Sequence, residues 1–509
     1  MQKFGRSGCI TCLSAIVTAR PLALVETRFH TSFSTDSLMI TRSDSAVDVV
    51  DPRDFRSFCF RGEGRANFVI SAKHASSGIR IVWRFAKARK SGLITWKAKS
   101  ELVNQYMERM VSPFFDSLFL VNPKIIEMRV EDVHQLAKIP SLPANLKLEN
   151  FDEILALPSD LSFLPMSNIP RNVVRLSALE MLDATRIPKH LISYIGPTIT
   201  LEIKPKQGFY QNHLSLDLPY CNNCILQLEK CGSNHYEEMY DFCPLDLYSG
   251  NLARMKSALE ALLKVPHRNL RLFIDGNLMH SDETPLDPAL FTPTLFPSGQ
   301  GNVDDLLTAM CLVLAGCYDI HDFSLRDHSV LGQILAAQKI DSVGILRAHQ
   351  IFHSLPAFVQ KELLDKNRLP VRGLEVLEAT DDRALLEKYL LAATMKDCSI
   401  MASLRLVPSG TYRVASSADD PQMIKLANGL CFAYSVKIVD LDPKSPKNLV
   451  NAFGRFMAGV WRFRALIIYE QYSAAHCALI VLARLVTRYL LNISPLSTHA
   501  FLLLLKSVL

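Results

Sequence analysis

Lys204 and Lys206 stand two residues apart in the segment LEIKPKQGF, Leu201 to Phe209. An extended chain alternates its side chains between faces, so both ammonium groups share one face. The proline between them stiffens the strand end and offers no donor to a ladder. Two parallel cations suit a polyphosphate. The segment from Cys221 to Arg254 adds Lys230, Asn251 and Arg254. Asn251 and Arg254 are three apart at a predicted helix start, which gives them one face and an N-terminus that favours anions. Carboxylates enter with Asp397 in MKDCSIMASL, and with Asp440 and Asp442 beside Lys444 in KIVDLDPK. Phosphoryl transfer needs one carboxylate to orient and deprotonate a hydroxyl and another to hold magnesium against nucleotide phosphates. The last segment is FRGEGRANFV, Phe60 to Val69. Gly62 and Gly64 let backbone N–H groups approach phosphate oxygens with no Cβ in the way. Arg84 and Arg89 in the following WRFAKAR run are cations for the same phosphates. A bare G-x-G also marks plain hairpin turns.

Elements must hold these residues. Phe58 to Phe85 alternates β-branched and aromatic residues around the glycine turn, which predicts antiparallel strands. Val174–Asp183, Thr198–Lys204, Leu270–Asp275, Ser399–Val407 and Cys431–Asp440 read as strands, with a turn at Gly276 and Asn277. Ser100–Val111, Ser257–Lys264, Val303–Leu314, Leu331–Ala336 and Ala384–Ala393 read as helices. Leu142 to Arg171, rich in Pro, Leu and Asn, reads as a connecting region.

The background is that of a globular protein. The chain has 509 residues, 49% hydrophobic and 21% charged, ample apolar mass for a large core. The formal charge of +6 is too mild for a polybasic nucleic-acid tail and excludes an acidic solvating protein. Twelve scattered cysteines read as reduced thiols of the cytoplasm or nucleus. Residues Met1 to Arg28 are basic around the apolar stretch Ser7 to Ala19; they read as an unstructured extension or as a mitochondrial or secretory leader. The longest apolar candidate, Ala474 to Leu491, is broken by Arg484 and Arg488, so no transmembrane helix is predicted. HDFSLRDH, His321 to His328, reverses the order of the protein-kinase DF and RD elements and lacks the following glycine. No phosphate-binding P-loop occurs.

In chain order, RGEG, EIKPK-x-GF, CPLDLYSGN-x-x-R, KDCSIM and DLD-x-K, roughly Phe58 to Lys444, resemble the inositol-pentakisphosphate 2-kinase family. EIKPK followed by PLDLYSG is the specific pair. The resemblance implies an α+β, divergent kinase-like two-lobed fold, with an ATP cleft between a β-rich N-lobe and a larger C-lobe. It divides the chain into an unmatched extension (1–57), the N-lobe (58–183), a C-lobe with the inositol phosphate-binding region (184–449) and a divergent tail (450–509). It implies ATP and magnesium as cofactors and inositol pentakisphosphate as substrate, phosphorylated at the 2-hydroxyl to phytate. Residue by residue, Asp397 would be the general base and Asp440 the magnesium ligand. Gly62, Gly64, Asn67 and Arg84 would bind ATP. Arg89, Lys204, Lys206, Lys230, Asn251, Arg254 and Lys444 would grip the inositol phosphates, since each phosphate oxygen asks for a charge-assisted donor. The adenine contact would fall near Glu180 to Asp183.

The chain also departs from the family. Ile225, Leu226 and Gln227 replace Met-His-Gln, Asn448 stands where plant members carry Arg, and the continuation after Lys444 does not match. These departures motivate a second reading, a catalytically inactive inositol-phosphate-binding scaffold. His213, Cys221, Cys224 and His235 have ligand-like spacing for zinc, although reduced structural thiols fit the same pattern. A monomer without direct nucleic-acid contact is expected.

Overall fold

A computed structural model describes residues 48–63, 67–86, 96–129, 136, 139, 175–187, 192–213, 216–233, 236, 239–365, 368–413 and 421–467. Gly64, Arg89, His235, the extension before residue 48, the connecting region 142–171 and the tail after 467 lie outside the described residues, with the expectations placed on them. The architecture is mixed α+β with two six-stranded sheets, in agreement with the class read from the sequence. The strands are β1 (Asp48–Val49), β2 (Phe55–Glu63), β3 (Asn67–His74), β4 (Arg80–Ala86), β5 (Lys124–Arg129), β6 (Arg175–Leu182), β7 (Ile195–Ile203), β8 (Leu270–Ile274), β9 (Asn277–His280), β10 (Ser399–Val407), β11 (Gln422–Lys425) and β12 (Cys431–Val439). The helices are α1 (Trp96–Tyr106), α2 (Asn222–Gly232), α3 (Pro244–Leu247), α4 (Leu252–Lys264), α5 (Phe291–Leu295), α6 (Val303–Ala315), α7 (Val330–Gln338), α8 (Gly344–Ser354), α9 (Ala357–Leu364) and α10 (Asp382–Met395), followed by a helix at 446–467.

The first sheet has the order β1-β5-β6-β4-β3-β2. Phe68, Ile70 and Ala72 on β3, and Ile81, Trp83 and Phe85 on β4, are buried. That alternation turns one face of the sheet to a core. Val69 and Arg84, directly opposite each other in the ladder, therefore belong to the other face.

The second sheet has the order β11-β12-β10-β7-β8-β9. Its middle strand β10 is buried almost throughout, because helices cover the sheet. Leu259 and Leu262 of α4, Leu331 and Ile334 of α7, and Leu391 and Met395 of α10 share one core with Ile199, Leu201, Ile400 and Leu404. Helix α6 is apolar on all sides and buried from Leu306 to Ala315 apart from Thr308, as a helix inside the core must be. Its ends are set by an Asn302–Asp305 capping box and by left-handed Gly316.

Strand directions decide what the sheet can display. β7 and β12 both run antiparallel to β10, with Ile203 opposite Ile400 and Val439 opposite Ser399. The residues after β7, before β10 and after β12 therefore emerge at one end of the sheet. Those residues carry Lys204 and Lys206, Asp397, and Asp440 through Lys444.

Among the described residues, 224–233, 236, 239 and 454–467 form a unit of their own. Within it, Arg462 Nη1 donates to the carbonyls of Leu228 and Glu229 at 3.3 and 3.2 Å. Gly459 allows the helices to touch, since a Cβ there would stand 2.3 Å from the Ile225 carbonyl oxygen. No helix among the described residues is long and apolar enough to cross a membrane.

Several elements differ from the sequence expectation. Helix α4 starts at Leu252 rather than Ser257, because Asn251 caps it. The helices α8 and α9 were not anticipated. Leu404 tests the packing of the second sheet: it is fully buried between β7 and β12. Leu404→Ala should cost about 2–5 kcal/mol by cavity formation, seen as an earlier urea midpoint by circular dichroism. An unchanged midpoint would mean that β10 is not the core strand described.

Candidate active site

Asp397 precedes β10 at the shared end of the second sheet and is held between two lysines. Lys206 Nζ lies 3.2 Å from its Oδ1 and Lys444 Nζ 2.7 Å from its Oδ2. Lys204 reaches Asp440 Oδ2 at 3.5 Å, and Ser399 Oγ reaches the same oxygen at 3.4 Å. Lys206 and Asp440 both adopt left-handed backbone, with φ of 59° and 61°. Non-glycine residues rarely do so without support from their surroundings.

The charges act on one another. Burial opposes ionisation of Asp397, but Lys206, Lys444 and Lys204 outweigh it and hold its carboxyl well below the ordinary carboxylate range. Burial pushes the Lys206 ammonium down; the attraction of Asp397 only partly offsets this, and Lys204 adds repulsion. For Lys204 the burial effect loses to Asp440 and Asp397, and its pKa rises. Asp440 is half exposed, and the contacts named above are long. It is a hard oxygen donor open to solvent, which suits magnesium.

Arg84 comes from the first sheet to Asp442, two residues beyond Asp440. Its Nη1 donates to Oδ1 at 2.7 Å, and Nη2 donates to Oδ2. Burial disfavours this guanidinium's charge, yet the Asp442 carboxylate more than compensates and raises its pKa. The Asp442 carbonyl accepts from Thr394 Oγ1 at 3.1 Å, and Tyr106 OH lies 3.0 Å from that hydroxyl. Asp442, Thr394 and Tyr106 were not singled out for these roles in the sequence. An Arg–Asp pair 358 residues apart leaves no local signal.

The glycine turn lies at the end of β2. Gly62 has φ of 151°, and Arg271 Nη1 of β8 lies 3.8 Å from where its Cβ would stand. Arg271 also pairs with Glu202 at 3.6 Å, a cation beside the turn that the sequence reading missed. Asn67 opens β3 opposite Ala86. Near the expected adenine contact, Glu180 Oε2 accepts from Trp83 Nε1 at 2.9 Å, and buried Asp183 pairs with Arg61 at 3.0 Å. Those carboxylates already have protein partners.

The PLDLYSGN segment meets the KPKQG turn through Tyr248. A Cβ on Gly208 would stand 2.5 Å from the Tyr248 ring, so the residue there has to be glycine. Asn251 and Arg254 do not simply present two free groups on one face. Asn251 Oδ1 accepts from the Arg254 backbone N–H at 3.1 Å, and Arg254 pairs with Asp246 at 2.7 Å. Asn448 accepts from the Ser445 N–H at 3.0 Å and from its hydroxyl at 3.1 Å. Lys230 belongs to the smaller unit, its Nζ 5.2 Å from the Tyr236 ring centroid. Of the zinc candidates, His213 Nε2 is 3.2 Å from Asn222 Oδ1, and burial lowers its pKa. Cys221 Sγ is 3.7 Å from Cys243 Sγ, a neighbour the spacing did not select. Cys224 belongs to the smaller unit.

A strand-end cluster of cations around one carboxylate, with a second, open carboxylate beside it, is the equipment of an anion-handling phosphotransferase site. The sequence profile described as inositol-pentakisphosphate 2-kinase matches residues 60–453. The chain belongs to that family. It is 27% identical over 276 residues to the inositol-pentakisphosphate 2-kinase of Oryza sativa subsp. indica, covering 50% of this chain and 58% of the relative. The Arabidopsis thaliana enzyme is 28% identical over 280 residues, covering 52% and 59%, and the Danio rerio enzyme 24% over 323 residues, covering 50% and 65%. The chain thus spans under two thirds of the length of these relatives.

The Asp397 cluster predicts a pH signature. A carboxyl whose folded pKa lies below its unfolded value of about 3.9 contributes stability above that value and loses it as pH falls through the folded pKa. Asp397→Asn removes this contribution. The thermal midpoints of wild type and variant should differ most at neutral pH and converge in acid below about pH 4. A gap independent of pH would mean that the two lysines do not stabilise the ionised carboxyl.

Proposed function

We propose that this chain transfers the γ-phosphoryl group of ATP to the 2-hydroxyl of inositol 1,3,4,5,6-pentakisphosphate, giving the hexakisphosphate. The observation that carries the reading is Asp397 held between Lys206 and Lys444, with Lys204 and Asp440 adjoining. A pentakisphosphate brings many negative charges, and its oxygens compete with Asp397 for the three ammonium groups. The carboxylate then turns to the ring hydroxyl. It is ionised at neutral pH, the lysines outweighing the effect of burial, so it accepts the hydroxyl's hydrogen bond at once. It is a weak base. That suits a loose phosphoryl-transfer transition state, in which positioning matters more than early deprotonation. The hydroxyl oxygen bonds to the γ-phosphorus, the bond to the ADP oxygen breaks, and the proton passes to Asp397. The nucleotide lies between the two sheets in the kinase-like manner, with the Gly62 backbone and Arg84 at its phosphates. Asp440 would hold magnesium, which would supply neutralising charge for those phosphates. Arg254 extends the grip on the inositol phosphates. For zinc, Cys221 and Cys243 would supply two thiols of the four ligands a structural site takes. The thiols of Cys59, Cys311, Cys317, Cys398 and Cys431 support a cytoplasmic or nuclear protein.

One observation favours the inactive scaffold instead. Asn448 accepts from Ser445 at the start of the helix after Lys444, at the position where the resemblance places an arginine in plant members. Both readings meet one assay: purified chain, ATP, magnesium and inositol pentakisphosphate, with products resolved by anion exchange. The kinase yields a hexakisphosphate peak; binding with no such peak selects the scaffold. In the kinase, Asp397→Asn should lower kcat by about 10²–10⁴-fold while the pentakisphosphate Kd holds. Equal turnover would remove Asp397 from the role of base. Lys206→Met should weaken pentakisphosphate binding by roughly 10–100-fold, the worth of one charge-assisted hydrogen bond, measured by calorimetry. Unchanged affinity would take Lys206 out of the substrate site.

A further inference from the structure

Helix α7 ends in Gln338, whose side chain is completely buried. Both N–H donors and the carbonyl oxygen of its carboxamide are engaged. Nε2 donates to the Lys206 carbonyl at 2.8 Å and to the Met395 carbonyl at 3.1 Å, with Tyr248 OH at 3.4 Å. Oε1 accepts from the Gly208 N–H at 2.8 Å. An amide has two N–H donors and one carbonyl acceptor, and the two backbone carbonyls and the Gly208 N–H engage all three. These partners belong to separate stretches of chain. Lys206 and Gly208 are in the turn after β7, Met395 ends α10 two residues before Asp397, and Tyr248 belongs to PLDLYSG.

We infer that Gln338 is a positioning residue for the phosphoryl-transfer site, one side chain that sets the spacing between Lys206 and Asp397. The inference rests on the proposed function. Lys206 has left-handed backbone, and its carbonyl is held in that state by the Gln338 amide. The same NH₂ group holds the last carbonyl of α10, from which the chain turns through Lys396 to Asp397. A rigid planar group therefore ties the lysine's backbone to the carboxylate's backbone, and the 3.2 Å Lys206–Asp397 contact closes the ring. The turn after α7 adds a second tie. Buried Asp341 accepts from Lys396 Nζ at 2.6 Å through Oδ2, and its Oδ1 takes the N–H groups of Val343 and Gly344 at 3.1 and 2.8 Å. Only glutamine serves at position 338. Glutamate would accept from Gly208 but has no N–H for the two carbonyls, asparagine is one methylene short, and methionine fills the volume with neither donor nor acceptor.

The test compares full-length wild type with Gln338→Glu and Gln338→Met, each also placed on Lys206→Met. The readouts are kcat for inositol pentakisphosphate, KM for ATP, and the calorimetric Kd for inositol hexakisphosphate. Misplacing reactive groups should lower kcat roughly 10–100-fold with KM for ATP unchanged. The loss of hexakisphosphate affinity should be large on wild type and small on Lys206→Met, because residues acting through one another are not additive. Unchanged kcat and Kd in both variants overturn the role. So does a loss that appears equally in KM for ATP, or one that adds fully to Lys206→Met, since either marks general destabilisation. If Gln338→Met does not fold, Gln338→Glu carries the comparison; failure of both to fold assigns the residue to stability alone and overturns the inference. A wild type that binds without turnover leaves the affinity arm decisive. A wild type that neither binds nor turns over refutes the proposed function in the parent chain, before any variant is read, and the role of Gln338 falls with it.

Discussion

The ion cluster at the end of the second sheet is the constraint to which the neighbouring structure answers. Lys204, Lys206 and Lys444 repel one another, and Asp397 and Asp440 hold them together. The cluster needs three chain segments to end at the same height. The antiparallel order of β7, β10 and β12 supplies that. It also needs backbone that leaves ordinary strand geometry, and Lys206 and Asp440 do so. Such conformations cost energy and persist only where the surroundings fix them. The buried core of β10 and its covering helices provides a rigid floor for that purpose.

The first sheet contributes a long-range joint. Arg84 emerges from the face of β4 opposite the buried one and meets Asp442 with two parallel hydrogen bonds. A bidentate guanidinium–carboxylate pair fixes orientation as well as distance. Asp442 is itself anchored through its carbonyl to Thr394 on α10, and Thr394 to Tyr106 on α1. The segment after β12 is thereby tied on both sides: Asp440 toward the lysines, Asp442 toward the arginine. On a regular strand residues two apart would share a face; Asp440, left-handed and beyond the end of β12, departs from that geometry, and the two carboxylates meet different partners.

Family membership rests on the match over residues 60–453, and the motifs that carry it cluster where the strands end. The identities are low, 24–28% over about half of the chain. Two asparagines near the site spend their side-chain oxygens on helix starts: Asn448 accepts from Ser445, and Asn251 accepts from the first turn of α4.

The sequence by itself determined the local elements and the residue types of the site. Alternation announced β3 and β4, apolar periodicity announced α6 and α10, and EIKPK with KDCSIM and DLD-x-K named Lys204, Lys206, Asp397, Asp440 and Lys444, because these signals are read within a few neighbouring residues. Only the tertiary structure decided which of them meet. Asp397 lies 191 residues from Lys206 and 47 from Lys444, and no local rule selects those partners. It likewise decided that Arg84 pairs with Asp442 and that Gln338, unremarkable in its helix, binds the turn bearing Lys206 to the end of α10. The reason is physical. Propensity and periodicity are short-range and leave their mark in adjacent residues, whereas a charge or a buried amide finds its partner only after the strands have set their order and register.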